Sequence, residues 1–300
     1  MIKGRMFKEE EVVSNNLGDI NNRYSGVAAN GSTWEIYNGD SLAVLKTLPN
    51  EFCDCVVTSP PYFWLRDYQS EGQLGLEDTV EEFIEKLNSV MNEIYRVLKP
   101  SGTVFINIGD TYYSGKGESQ GVDKKSKKRR FGLRAVDKSG GMGIGLKPKT
   151  LIGIPWRLAL KMIHSNWILR SNIIWYRKHS LPEAVKDRPK RSYEFIFMFV
   201  KKKNYYFDRT DLLEHEQEDM WTITARPKAA KGIQTAPYPD ELVERCLNVG
   251  CPEGGIVLDP FSGSGTTVRV ANNLRRNGIG IDLSNEFCLH AVKELQKNSL

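Results

Sequence analysis

Ser59 lies in Thr58-Ser59-Pro60-Pro61-Tyr62, directly after the apolar run Cys53-Asp54-Cys55-Val56-Val57. The run reads as a short buried strand. Two consecutive prolines fix φ and remove two backbone donors, so the strand stops at them. The residue before each proline is also pushed out of the helical region. The turn is therefore stiff. It holds the Ser59 hydroxyl, the neighbouring carbonyls and the Tyr62 ring at the carboxyl end of a strand. A planar ring can lie on Tyr62, and an amino group on that ring can donate to Ser59 and to the Pro60 carbonyl. The plain alternative is a loop stop beside a chance aromatic.

A second constellation follows the apolar run Ile256-Val257-Leu258. It reads Asp259-Pro260-Phe261-Ser262-Gly263-Ser264-Gly265-Thr266-Thr267. Glycines between a strand and a helix let the backbone come close to a ligand. The spacing is not that of a dinucleotide fingerprint, and no lysine follows the second glycine as in a P-loop. The Asp259 carboxylate would repel a pyrophosphate. It suits a ligand with an ammonium group, such as the methionyl end of S-adenosylmethionine. Asp282 ends the next strand, about where a carboxylate binds ribose hydroxyls in doubly wound folds. The alternative here is a tight turn with a helix cap.

These residues need elements to position them. Residues 34–38 read as a strand ending at Gly39-Asp40, and Ser41 opens a helix with Leu42, Leu45 and Leu48 on one face. Residues 77–98 form an amphipathic helix burying Val80, Phe83, Ile84, Leu87, Val90, Met91, Ile94 and Leu98. Residues 103–108 are a strand covered on both faces, ending at Gly109-Asp110. Further helices are placed at 151–163, 239–249, 268–274 and 286–296, and further strands at 168–176, 193–200 and 278–281. Alternating strands and helices predict a mostly parallel, doubly wound α/β sheet. Ligands of such sheets sit beyond the carboxyl ends of the strands. Asp40, Ser59 to Tyr62, Asp110, Asp259 to Thr267 and Asp282 all fall at those ends. Residues 1–33 read as a loose arm and 34–300 as the folded domain. Residues 201–236 are polar with no clean period.

The length, 300 residues, suits one large domain, and the composition, 40% hydrophobic and 26% charged, is that of an ordinary globular chain. The formal net charge of +5 is modest but uneven. The insert 113–149 carries eleven Lys or Arg against Glu118, Asp123 and Asp137. It is too poor in apolar residues to fold alone. Within it, Lys124, Lys125, Lys127, Lys128, Arg129 and Arg130 are candidates for phosphate contacts. No run approaches the ~18 apolar residues of a membrane span, and the first residues lack a signal-peptide core. A cytoplasmic location is expected. The five cysteines form no CxxC pair. Reduced structural thiols are expected, with Cys53 and Cys55 on one strand face and no metal.

The two motifs together resemble those of the DNA amino-methyltransferases, which methylate the exocyclic amino group of cytosine or adenine. Here the Ser-Pro-Pro-Tyr motif precedes the glycine motif, an order similar to that of the beta class, in which the fold is circularly permuted. The resemblance covers about residues 34–112, 150–210 and 235–295. It implies a Rossmann-like sheet of seven strands, with strands 53–57 and 256–258 as neighbours and a small irregular recognition region at 201–236. It implies S-adenosylmethionine as cofactor, with Asp259, Phe261, Gly263, Gly265, Thr266 and Asp282 around it, Asp40 at its adenine end and Asp110 lining the same cleft. Ser59, Pro60, Pro61 and Tyr62 become the pocket for a base flipped out of double-stranded DNA. Family members with serine at the first motif position more often resemble the N4-cytosine enzymes, and those with Asp or Asn the N6-adenine ones. The resemblance leaves open a cognate restriction nuclease and either a monomer or a homodimer. The rival readings are an N6-adenine enzyme, an RNA or protein-amide methyltransferase, a DNA-binding module without catalysis and, weakest on glycine spacing, a nicotinamide dehydrogenase.

Overall fold

The computed structural model describes residues 20–63, 72–113, 145–178, 185–224 and 238–297. In chain order the elements are β1 (Ile20–Val27), β2 (Thr33–Gly39), α1 (Ser41–Thr47), β3 (Cys53–Thr58), α2 (Val80–Val97) and β4 (Leu98–Ile108). Next come α3 (Ile154–His164), β5 (Ile168–Lys178), β6 (Tyr193–Val200), α4 (Thr210–His215) and β7 (Met220–Thr224). The chain continues through α5 (Asp240–Gly250), β8 (Ile256–Asp259), α6 (Thr266–Asn273), β9 (Asn277–Asp282) and α7 (Asn285–Lys297). The strands form a single sheet in the order β1-β2-β9-β8-β3-β4-β6-β5-β7. Strands β2, β9, β8, β3 and β4 run parallel. β6 is antiparallel to both β4 and β5, and β7 is parallel to β5. The expected neighbours β3 and β8 pair directly, Cys55 with Val257 and Val56 with Leu258.

Helices cover both faces, as the alternation requires. α2 buries the predicted stripe, from Val80 through Ile94, and is capped by the Thr79 side chain, which accepts from the Glu82 backbone N–H. With α1 and α3 it closes one core over Val56, Val104 and Ile106. α5 packs over Cys55, Val57 and Val257 on the opposite face. Trp34, Ile36, Val268, Cys288 and Leu295 form a third cluster, under α6 and α7.

Four expectations need correction. The sheet has nine strands among the described residues, not seven. Residues 20–27 are not a loose arm. They form β1, an edge strand paired antiparallel with β2. Its sequence hid it because an edge strand lives on backbone pairing, and Gly26 is there to make room for the Trp34 indole, 2.4 Å from where a Cβ would stand. The second extra strand, β7, follows the short helix α4 inside the polar region 201–236. It pairs with β5 and buries only Trp221 and Ile223. Finally, Cys53 and Cys55 lie in different cores. The pairing register with β4 shifts between them, so the side-chain alternation breaks at Asp54. All five cysteines are buried and unpaired.

Candidate active site

The parallel strands deliver their carboxyl ends to one edge. β2 ends at Asp40, β9 at Asp282, β8 at Asp259, β3 at Ser59 and β4 near Asp110. β5 runs the same way and brings Arg177, while β6 runs against β4 and brings Glu194 to the same edge.

The loop after β8 is shaped by two residues with positive φ, Gly263 (50°) and Gly265 (78°). A Cβ at Gly265 would stand 2.7 Å from the Ala291 Cβ, so α7 packs tightly there. A Cβ at Gly263 would meet nothing within 4 Å. The Gly263 N–H donates to Asp282 Oδ2 at 2.8 Å, and Ser284 N donates to Oδ1 at 2.8 Å. Burial lifts the Asp282 carboxyl to about 6, against the pull of those two amides. The Ser41 hydroxyl donates to the Pro260 carbonyl at 2.5 Å, tying the end of β2 to the loop. Asp40 is exposed and caps α1 through the Ala43 N–H. Phe261 is half-buried and packs against the main core. Thr266 is buried at the start of α6.

Asp259 does not present a free carboxylate. It is buried, and its Oδ1 accepts from Thr58 Oγ1 (2.7 Å) and Phe261 N (3.1 Å). Its Oδ2 accepts from Thr267 Oγ1 (2.6 Å) and the Tyr238 hydroxyl (2.9 Å). Four donors fill the acceptor sites of a carboxylate. Asp259 thus joins the strand of the Pro-Pro-Tyr turn, the glycine loop and α6, instead of offering itself to an ammonium group. Burial raises its pKa, and these hydrogen bonds oppose the rise.

Beyond Thr58 the turn leaves the sheet. Pro60 is buried, and Ser59, Pro61 and Tyr62 are half-buried. The Tyr62 ring lies against Gly109, whose Cβ would come within 2.7 Å of it. The Tyr62 hydroxyl reaches Glu194 Oε2 at 2.7 Å and Asn107 Oδ1 at 3.5 Å. Burial and the nearby Glu194 carboxylate push the Tyr62 phenol well above its ordinary pKa. Asp110 turns to the backbone instead. It accepts from the N–H groups of Thr111, Gly153 and Ile154 and so caps α3. The Arg191 guanidinium donates to the Asp110 carbonyl, and Arg188 stacks on Tyr112 at 3.9 Å.

The architecture matches known proteins. The DNA methylase family model for the N6/N4 enzymes matches residues 53–293. The chain belongs to this family. Its members are amino-methyltransferases that draw their methyl group from S-adenosylmethionine. The chain is 41% identical to the Type II methyltransferase M.XycI of Xanthomonas campestris pv. cyanopsidis over 89% of this chain and 88% of that one. It is 39% identical to M.SmaI of Serratia marcescens over 94% and 97%. Among solved structures it resembles the PvuII DNA methyltransferase, described as cytosine-N4-specific, with a TM-score of 0.67 at 20% identity over 92% and 95% of the two chains. At that identity the likeness speaks for the fold.

In this DNA methylase the glycine loop leaves room for the cofactor, since the space beside Gly263 is open. Ser262 Oγ, buried and without a hydrogen-bond partner, packs instead against Gly280 of β9. The fold brings together Ser59, Tyr62, Gly263, Asp282 and Asp40 at one edge, with Asp259 and Asp110 beneath them as internal acceptors. The basic residues Lys124, Lys125, Lys127, Lys128, Arg129 and Arg130 lie outside the described residues. Sequence reading missed Thr58, Asn107, Glu194 and Tyr238. A signal existed for two of them. Asn107 and Glu194 are polar residues set into otherwise apolar strands, and a polar group there needs a partner.

Proposed function

We propose that this DNA methylase transfers a methyl group to the N4 amino group of a cytosine flipped out of double-stranded DNA. The observation that carries the reading is Ser59, a neutral hydroxyl where other members bring an acid or amide, at the end of β3 and beside Tyr62. The name of the PvuII enzyme supports it.

When bound, S-adenosylmethionine supplies a methyl group already activated on a sulfonium. The amino nitrogen of cytosine is a poor nucleophile because its lone pair is delocalised into the ring. Ser59 Oγ and the Pro60 carbonyl accept its hydrogens, and the nitrogen becomes pyramidal with its lone pair free to attack. Most of the gain comes from positioning and from dipoles aimed at developing positive charge. Ser59 is too weak a base to keep the proton, which passes to water. Tyr62 stacks on the flipped base. The Gly263 backbone, Phe261, Gly265 and Thr266 would shape the cofactor loop, Asp282 would accept from the ribose hydroxyls, and Asp40 would stand at the adenine end. Asp259 positions the loop through its four donors.

The Type II names of the relatives support a role as the modification half of a restriction pair. The test of the reading is the product. Plasmid methylated by the enzyme is digested to nucleosides and weighed. N4-methylcytosine supports the assignment, and N6-methyladenine moves it to the adenine enzymes.

A further inference from the structure

Between β5 and β6 the chain turns at the edge that holds the Pro-Pro-Tyr turn. Lys178 ends β5, and residues 185–191 lead into β6. That strap carries Lys186, Arg188, Lys190 and Arg191 against one acid, Asp187. Asp187 is itself paired with Lys149.

Two arginines fasten the strap. Arg188 lies over the Tyr112 ring at 3.9 Å and Arg191 at 5.8 Å, both within reach of a cation–π contact. The Arg191 guanidinium also donates to the Asp110 carbonyl. The Arg177 N–H donates to the Ser192 carbonyl at 2.7 Å, which joins the strap to β5. These ties set it beside both groups that touch Tyr62. Gly109, against which the Tyr62 ring lies, directly precedes Asp110. Glu194, which takes the Tyr62 hydroxyl, follows Arg191 by three residues.

Three lysines stand on this frame with no task inside the protein. Lys178, Lys186 and Lys190 are exposed, and their side chains make no ion pair or hydrogen bond among the described residues. An ammonium on a flexible stem suits a phosphate oxygen as a point charge, and such a contact positions a duplex without reading bases. The substrate of a DNA methylase brings a dense line of phosphates. A base that leaves the stack keeps its own sugar and phosphates, so the backbone on either side of it comes down beside the pocket.

We infer that Lys178, Lys186 and Lys190 form a phosphate-contacting rim, on a strap fastened by Arg188 and Arg191, which holds the backbone of the target strand beside Tyr62. The placement rests on the proposed reading of the Pro-Pro-Tyr turn as the base pocket. It is independent of which base is methylated.

The test compares two triple variants of the whole chain. One carries Lys178→Gln, Lys186→Gln and Lys190→Gln. The other carries Lys46→Gln, Lys202→Gln and Lys203→Gln, which remove the same charge from exposed lysines at the opposite edge, in the last turn of α1 and just after β6. Affinity for duplex DNA is measured across a salt series. The rim variant should flatten the slope of log affinity against log salt by roughly 0.9 for each lost contact, up to about 2.7. The opposite-edge variant should keep the wild-type slope. Arginine at the same three rim positions keeps the charge and should keep the slope as well. A wild-type slope in the rim variant, or equal flattening in both triples, would overturn the inference. Should the rim triple fail to fold, the three single Gln variants decide, and a wild-type slope in all of them would overturn it too. The methylated product is read separately. N6-methyladenine would revise the proposed base and leave the salt slopes, and this inference, standing.

Discussion

The Thr58 hydroxyl donates to Asp259 Oδ1 at 2.7 Å, across 201 residues of chain and across the seam between β3 and β8. One residue later is Ser59, and four residues after Asp259 is Gly263. The bond therefore fixes the spacing between the pocket proposed for the base and the loop proposed for the cofactor. Methyl transfer in line demands that spacing to a fraction of an ångström.

Thr58→Val keeps the shape and removes the donor. It leaves a buried carboxylate oxygen short of one partner, which should lower the unfolding free energy by about 1–3 kcal/mol. Thr58→Ser restores the hydroxyl and should recover most of the loss. Urea denaturation of the three proteins, read at the midpoint with the slope checked for constancy, measures it.

The two glycines of the loop should fail in different ways. Gly263 has a positive φ but open space beside it. A bulky side chain there, as in Gly263→Trp, costs about 1–2 kcal/mol of backbone strain and would fill the room proposed for the cofactor. Binding by calorimetry should disappear while the fold persists by circular dichroism. Gly265→Ala meets Ala291 at 2.7 Å on top of its own positive φ. Its main effect should be a lower melting temperature.

Asp282 gives a pH signature. Its carboxyl titrates at about 6 in the folded protein, against ~3.9 in an unfolded chain. Between those values the folded state holds a proton that the unfolded state has lost, so stability falls as pH rises through the window. Cofactor affinity should move the other way. In the proposed site the ribose hydroxyls would donate to the ionised carboxylate, and protonation would remove an acceptor. Affinity should drop as pH falls from 7 through 6 to 5, by at most about tenfold per unit for one proton. Asp282→Asn should bind more weakly and lose the dependence. Titration calorimetry at the three pH values distinguishes the cases.

The sheet's central strands were legible because burial on both faces leaves continuous apolar runs, as in β3, β4 and β6. The α2 stripe was legible because its period is strict. The edge strands were not, since β1 is polar and β7 alternates over only five residues. At the site, the motifs and their strand-end placement could be read locally. The roles of Asp259 and Glu194 could not. Each is defined by donors arriving from elements distant in sequence, and only the fold reveals that Thr58 and Tyr238 converge on one carboxylate.

We propose that Lys124, Lys125, Lys127, Lys128, Arg129 and Arg130 contact DNA phosphates, on the strength of their density in a stretch poor in apolar residues. The segment is flanked by an isolated antiparallel bridge between Tyr112 and Leu151, beyond the end of β4. Phosphate contacts release counterions, so affinity falls steeply with salt, with a slope of roughly 0.9 per contact on duplex DNA. They position the duplex without reading bases. Replacing all six by Gln should weaken binding to target and non-target duplexes by similar factors and flatten the slope by up to about 5. Binding of both DNAs across a salt series measures this directly. An unchanged slope would make the insert a solvated loop. A loss confined to the target duplex would make it a reader of bases, and the recognition region would move there from residues 201–236.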